Sequence, residues 1–138
     1  SGWIGRPGDA GLVRHAYLTE TRPGVVKAWH HHERQTDRFV LVAGSVRLVL
    51  YDARTDLDTY DGLVEIVLVA GRHAPTVTIP PGVVHGWIAL GNETARILNL
   101  CSREWVPPGV PGCDEFRRPA NSGPANGVAY DWRRGVDG

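Results

Sequence analysis

The chain has 138 residues, which suits one globular domain with a sizeable buried core. Its 15 basic and 15 acidic side chains cancel, so the overall charge favours neither nucleic acid nor an anionic membrane as a partner. No apolar run approaches the ~20 residues that a membrane helix needs. We therefore expect neither a nucleic-acid partner nor a membrane partner.

The start of the sequence and its two cysteines bear on where in the cell the protein is expected. The sequence begins Ser1-Gly2 without an initiator Met and shows no signal peptide, so it resembles a trimmed start from which targeting information could be missing. Cys101 ends an apolar run and is expected to be a buried thiol, whereas Cys113 lies in a Pro/Gly-rich stretch. Two cysteines are too few for a disulfide scaffold, so we predict a cytoplasmic protein.

Short β-rich runs dominate the chain, because its 17 Gly and 10 Pro residues punctuate it at short intervals. The predicted strands lie at 25–32, 38–43, 46–51, 63–69, 76–79, 84–90 and 94–101. Ala43-Gly44-Ser45 is predicted to be a hairpin turn, and residues 52–62 are predicted to form a long polar loop. Regularly spaced short strands with turn signals predict an all-β sandwich or barrel.

We expect a single domain over residues 1–138, because no linker or internal repeat divides the chain. The barrel core is predicted at about residues 12–105, followed by an irregular, Pro/Gly-rich tail at 106–138. The aromatic residues of the tail, Phe116, Tyr130 and Trp132, leave two alternatives open. Either the tail packs across the barrel or onto a partner subunit, or it is a loosely ordered end.

Three consecutive histidines occur inside the first predicted strand. Strand alternation directs His30 and His32 to one side and His31 to the other. In a small barrel one side is the interior, where a polar group is costly unless it is paired, ligated or lines a wet cavity. His30 and His32 are therefore predicted to belong to a functional site.

A second histidine motif is Pro80-Pro81-Gly82-Val83-Val84-His85-Gly86-Trp87. Proline fixes the entry to the strand and glycine permits the tight turn, so His85 follows on a new strand. Trp87 alternates with His85, which allows it to line the same cavity, although core packing is the commoner role of a barrel aromatic. Trp29 and Tyr51 are expected on the outer face of the sheet or at a dimer interface.

Both motifs resemble those of the cupin superfamily. The matching residues are Gly24, His30, His32, Asp37 and Gly44 for the first motif, and Pro80, Gly82 and His85 for part of the second. The resemblance implies a double-stranded β-helix, that is, a jelly-roll barrel. It also implies a divalent metal, for which His30, His32, Asp37 and His85 would be the ligands.

Three imidazoles and one carboxylate suit Fe, Mn, Ni or Zn, as in a metal-dependent dioxygenase or isomerase. Asp37 stands where this resemblance expects Glu. The other interpretation of Asp37 is a turn or strand-start residue that forms local hydrogen bonds.

A longer resemblance is to the dTDP-4-dehydrorhamnose 3,5-epimerase family. It rests on residues 24–30, 35–37, 49–54 and 79–86, and the ending Tyr130-Asp131-Trp132 fits an offshoot of the family. The family is a jelly-roll cupin, usually a homodimer, and works without a metal. It deprotonates the carbon next to the ketone of a nucleotide-linked 4-keto sugar and reprotonates it on the other face. The resemblance therefore implies an isomerase with no cofactor, acting on a small-molecule nucleotide sugar.

This resemblance also assigns roles to residues. It makes His30 the catalytic base, assisted by His32 and His85, and places Lys27 at the position of a phosphate-binding Arg. Sugar-nucleotide 3,4-ketoisomerases are similar in having a His-x-His pair in the same strand. They move a proton between neighbouring carbons, which is the alternative isomerase chemistry.

The sequence departs from the epimerase pattern at two positions. The strand lysine of the family falls on Asp37, and its general-acid Tyr falls on Asn99, which we group with Lys27 and Trp87 as substrate-binding residues. An amide cannot donate a proton as a phenol can. A non-catalytic sugar-binding cupin is therefore a third alternative.

Overall fold

The computed structural model describes residues 13–125 and 129–136, so the predicted start of the core at residue 12 lies outside the described residues. The strands are β1 (His15–Thr21), β2 (Val26–His31), β3 (Asp37–Ala43), β4 (Ser45–Asp52), β5 (Leu63–Val69), β6 (Val77–Ile79), β7 (Val83–Leu90), β8 (Ala95–Cys101) and β9 (Phe116–Arg117). The part of the chain that the structure describes contains no helix of the length and hydrophobicity required to cross a membrane.

The strands form two antiparallel sheets that face each other. One sheet has the order β1-β8-β3-β6 and the other has the order β5-β4-β7-β2-β9. Most consecutive strands lie in different sheets, which is the winding of a jelly roll. The prediction of an all-β jelly-roll barrel is confirmed.

The predicted hairpin at Ala43-Gly44-Ser45 is wrong, because β3 and β4 lie in different sheets. Gly44 has a φ of 73°, and a Cβ at this position would lie 2.8 Å from Cα of Ala95. The turn therefore runs close against the start of β8 and carries the chain from one sheet to the other. Two apolar runs separated by one glycine give the same sequence pattern whether the turn joins neighbouring strands of one sheet or carries the chain to the other sheet.

The strict alternation predicted for residues 25–32 is also wrong. The pairing of β2 with β7 shifts in register between Lys27 and His30. Because this irregularity interrupts the two-residue period, Trp29 packs in the same apolar cluster as Val26 and Ala28. His30 is realigned by the shift and pairs with His85 across the two strands.

The main core lies between the two sheets. Val46 and Leu48 of β4 and Trp87 and Ala89 of β7 are among the residues that fill it. Strand β7 is central in its sheet and is buried on both faces, which explains its nearly continuous apolar sequence.

A second apolar cluster lies on the other side of the five-stranded sheet, where the tail covers it. Trp29 and Tyr51 are buried there together with Trp132, and the rings of Trp29 and Trp132 are 4.8 Å apart. The indole N–H of Trp29 donates to the backbone oxygen of Ser122 at 2.9 Å. Trp29 and Tyr51 thus lie outside the barrel, as expected, but are buried by the chain's own tail. Of the two alternatives for the tail, the described residues show packing across the barrel.

Candidate active site

A cavity of about 1440 Å³ opens between the two sheets. One wall is formed by β1 and β3, and the opposite wall by β2 and β7. The segment after β8 contributes much of its rim, through residues 102–106, 108, 112, 114, 115 and 117–119. Six of the predicted site residues line this cavity together: Lys27, His30, His32, Asp37, His85 and Trp87.

The centre of the site is the carboxylate of Asp37, a residue that is only 1% exposed. Its Oδ2 atom lies 3.1 Å from Nε2 of His32 and 3.4 Å from Nε2 of His85. Its Oδ1 atom accepts a hydrogen bond of 2.7 Å from the side-chain amide of Gln35. Burial raises the pKa of Asp37, but the hydrogen bonds from His32 and His85 outweigh it and hold the pKa far below its usual range. Asp37 is therefore ionised.

Both ring nitrogens of His32 face acceptors. Nδ1 lies 2.6 Å from the backbone oxygen of Asp114, and Nε2 lies 3.1 Å from the Asp37 carboxylate. Burial lowers the pKa of His32, but the hydrogen bond and charge of Asp37, with the Asp114 carbonyl, raise it above its usual value. Because only an imidazolium can donate from both nitrogens, His32 is held as a cation beside the Asp37 anion.

His30 has a different environment. Its ring is stacked 6.0 Å from Trp87 and lies 6.1 Å from His85, and none of the described residues forms a hydrogen bond with it. Burial, followed by the charges of His85 and Arg117, lowers the pKa of His30 to about 4. At neutral pH this imidazole is uncharged and can accept a proton.

The turn before β7 brings His85 to this site. The backbone N–H of Gly82 donates to the backbone oxygen of His32 at 2.8 Å, which ties the turn to the end of β2. Gly82 has a φ of 83°, a conformation that suits glycine. His85 Nδ1 then lies 3.1 Å from the backbone oxygen of Val83, so its Nε2 is directed at Asp37.

Trp87 combines the two roles considered for it. It is buried in the main core, where its indole N–H donates to the hydroxyl of Thr21 at 3.0 Å and its ring meets the edge of Phe39. It also lines the cavity and stacks on His30.

The two other predicted substrate-binding residues differ in position. Lys27 lines the cavity, and its ammonium group donates to the backbone oxygen of Glu20 at 2.6 Å. Asn99 is buried and is not among the residues that line the cavity, so its role in substrate binding stays a prediction. Its side chain lies behind Tyr17 and donates to the Tyr17 hydroxyl at 3.1 Å.

Sequence reasoning missed Asp114, which organises the chain after β2. Its carboxylate accepts hydrogen bonds from the backbone N–H groups of Glu33, Arg34 and Gln35 at 2.8–3.0 Å. Its backbone oxygen contacts His32. The contacts span about 80 residues of sequence, so no local pattern signals them. Tyr17 was missed as well, since it lies in an edge strand that was not predicted.

The ligand geometry bears on the metal alternative. Donor atoms of His32, Asp37 and His85 all lie within 4.8 Å of one another, whereas His30 is outside this group. The predicted four-ligand set is therefore reduced to three residues. Two imidazoles and a carboxylate are a donor set that fits a divalent transition metal.

Fold and site together define a jelly-roll cupin with a histidine-lined cavity between its sheets. The family model described as dTDP-4-dehydrorhamnose 3,5-epimerase matches residues 9–113, and the chain belongs to this family.

Two curated relatives have names from glycan biosynthesis. The chain is 32% identical over 102 residues to the spore coat polysaccharide biosynthesis protein SpsL of Bacillus subtilis, covering 72% of this chain and 67% of the relative. It is 35% identical over 85 residues to the probable low-salt glycan biosynthesis epimerase Agl13 of Haloferax volcanii, covering 61% of this chain and 54% of the relative.

Among solved structures, the dTDP sugar isomerase from Desulfovibrio desulfuricans G20 superposes with a TM-score of 0.77 at 25% identity. That superposition covers 94% of this chain and 79% of the isomerase.

Proposed function

We propose that the protein is an isomerase that moves a proton at a carbon next to the ketone of a nucleotide-linked keto sugar, and that it works without a metal. One observation carries this proposal: an uncharged imidazole, His30, shares a cavity with the His32–Asp37 ion pair. Membership of the dTDP-4-dehydrorhamnose 3,5-epimerase family supports the reaction class.

His30 is the base in this proposal. The ring is uncharged at neutral pH, which is the state required to take the proton from the carbon next to the ketone. The electron pair of that C–H bond moves towards the ketone oxygen and leaves an enolate. Trp87 stacks on His30 and fixes the plane of the base.

The developing enolate needs a positive partner. The strand lysine of the family resemblance falls on Asp37, an anion, but Asp37 in turn holds His32 as an imidazolium at the cavity wall. His32 supplies a cationic donor at the site, and Asp37 keeps that donor protonated and oriented. His85 shares the same carboxylate oxygen and supports its position.

Binding of a diphosphate would use the basic side chains around the cavity. Lys27 of β2 and Arg117 and Arg118 of the tail all line it. Arginine side chains bind phosphate oxygens in a bidentate manner, and lysine adds a point charge. The exposed indole of Trp105 at the rim offers a flat surface for a nucleobase or a sugar.

The experiment is an assay in D₂O with a dTDP-linked 4-keto-6-deoxy sugar. The expected result is deuterium at a carbon next to the ketone, detected by NMR and mass spectrometry. An inverted carbon identifies an epimerase, and a displaced ketone identifies a ketoisomerase. The absence of both exchange and product with dTDP-, UDP- and GDP-linked substrates would leave a sugar-binding cupin without turnover.

The second candidate is a metal-dependent cupin, favoured by the grouping of His32, Asp37 and His85. These residues would hold the ion, which supplies Lewis-acid activation of a carbonyl oxygen. Elemental analysis after expression in metal-supplemented medium decides between the candidates. About one equivalent of a transition metal, lost together with activity in H32A, would support this candidate over the metal-free isomerase.

We also propose a homodimer. The outer face of the four-stranded sheet supports a second subunit there, since Leu18 and Val42 are each 51% exposed on it. Light scattering coupled to gel filtration measures this directly: a mass of one chain would reject the dimer. The cytoplasmic location stays a prediction from the sequence.

A further inference from the structure

The position of the family's general-acid Tyr is occupied by Asn99, yet a phenol lies next to it on the neighbouring strand. Tyr17 of β1 and Asn99 of β8 are directly paired in the sheet register. The side-chain amide of Asn99 donates to the Tyr17 hydroxyl oxygen at 3.1 Å. Tyr17 lines the same cavity as His30, and Asn99 does not.

We propose that Tyr17 is the proton donor of this site and that Asn99 is the residue that positions it. The proposal rests on the proton-transfer function proposed above and names the group that completes it. Tyr17 has no assigned role in the sequence pattern, because the family resemblance places the acid on β8.

The hydrogen-bond direction fixes how the phenol is oriented. The carbonyl oxygen of the Asn99 side chain accepts from the backbone N–H of Arg38 at 3.2 Å, so its NH₂ group must face Tyr17. The Tyr17 oxygen therefore acts as acceptor towards Asn99. Its own O–H hydrogen remains available for a molecule in the cavity.

The two proton-transfer groups lie on opposite walls. His30 belongs to β2 of the five-stranded sheet, and Tyr17 belongs to β1 of the four-stranded sheet. A substrate between the sheets would present one face of its reacting carbon to each residue. Deprotonation from one wall and protonation from the other inverts the carbon, which is the geometric requirement of an epimerase.

The chemical step balances with the groups present. His30 takes the proton, and the C–H electron pair forms the enolate. The enolate carbon then forms a new C–H bond with the Tyr17 hydroxyl hydrogen, while the O–H electron pair remains on the phenolate oxygen. His30 returns its proton to solvent and the phenolate takes one from solvent, so no oxidant or other reactant is needed.

The raised pKa of Tyr17 agrees with its role as proton donor. Desolvation at the cavity wall raises the pKa of Tyr17, which is 43% exposed, so the phenol carries its proton at neutral pH. The charged or titratable groups that act on it are Asp37, Cys101 and Glu115, and His15 is in ring contact with it at 5.6 Å.

The test compares wild type, Y17F and H30A in D₂O with a dTDP-linked 4-keto-6-deoxy sugar, with Y60F as the control because Tyr60 is an exposed loop residue. We expect Y17F to lose roughly 10²-fold in formation of the inverted product while it retains deuterium exchange into the substrate. H30A should lose both, and Y60F neither.

Different outcomes separate the two proposals. Normal product formation by Y17F, or loss of exchange together with product in a folded Y17F, overturns the role of Tyr17 while leaving proton transfer by His30 in place. A wild-type protein with neither exchange nor product overturns the proposed function, and this inference with it.

A second variant covers a failure of Y17F to fold. 3-Fluorotyrosine at position 17 keeps the hydrogen bond from Asn99 and makes the phenol a stronger acid, so the ratio of inverted product to deuterium exchange must differ from that of wild type. An unchanged ratio overturns the proposal.

Discussion

The carboxylate of Asp37 lies 3.1 Å from Nε2 of His32, and the pair replaces the lysine that the family resemblance expects at position 37. Replacing Asp37 by Asn keeps the shape but removes the anion, so the pKa of His32 should fall because burial then acts without the carboxylate. We expect kcat to fall by roughly 10²-fold, the cost typical of losing one donor to a developing oxyanion. NMR titration of the His32 ring and steady-state kinetics measure both effects. D58N, in an exposed loop, serves as the control, and an unchanged His32 pKa in D37N would contradict the ion-pair account.

The pH dependence follows from the pKa values of the two histidines. His30 must be uncharged, so kcat/KM should decline as the pH falls through about 4, and not at the usual histidine value of 6.5. His32 must be charged, so kcat/KM should decline as the pH rises through its elevated pKa, above 6.5. A full pH profile of kcat/KM tests both limbs. An acidic limb centred on 6.5 would show that His30 is not the base in the environment described.

Lys27 gives a prediction about binding. Replacing it by Gln should raise KM by roughly tenfold and leave kcat nearly unchanged, because a phosphate contact far from the reacting carbon stabilises ground state and transition state equally. The matched control is R72Q, since Arg72 lies in an exposed turn. Equal KM values for K27Q and R72Q would place the diphosphate elsewhere.

Asp114 gives a prediction about stability. Its carboxylate accepts three backbone N–H groups of the segment after β2, and Asp114→Ala leaves them without that partner. We expect the free energy of unfolding to fall by roughly 2 kcal/mol, the size of a lost hydrogen-bond set to a charged group. Urea denaturation measures this. A variant as stable as wild type would mean that water replaces the carboxylate without cost.

Trp132 anchors the tail in the outer apolar cluster. Trp132→Ala should lower the free energy of unfolding by about 3 kcal/mol, since a buried indole is removed beside Trp29. The control is W105A at the exposed rim of the cavity, which should change stability by no more than about 0.5 kcal/mol. If the two variants unfold at the same urea concentration, the tail does not contribute to the folded barrel as described.

Most of the strands were predictable because Gly and Pro mark their ends and apolar residues fill their interiors. Strand β1 was missed since it is an edge strand with mostly exposed residues, so HAYLTET shows no apolar run. The hairpin at Gly44 was wrong because a turn in sequence does not reveal whether the next strand joins the same sheet. Such pairings are decided by tertiary packing.

The candidate site was predictable where a local pattern carried it. His30, His32 and His85 come from strand alternation and a Pro-Gly turn. Contacts between residues distant in sequence could not be predicted in this way. Asp114 contacts His32 across 82 residues of sequence, and Asn99 contacts Tyr17 across the same separation. The register shift in β2 also changed which neighbours share a face with Trp29.

The most direct measurement of the central claim is the rate of deuterium exchange into a dTDP-linked 4-keto-6-deoxy sugar by H30Q, compared with wild type and with H73Q. His73 is an exposed histidine outside the cavity. If His30 is the base, H30Q should lose roughly 10²-fold or more in exchange rate while H73Q matches wild type. Exchange by folded H30Q at the wild-type rate would contradict the account.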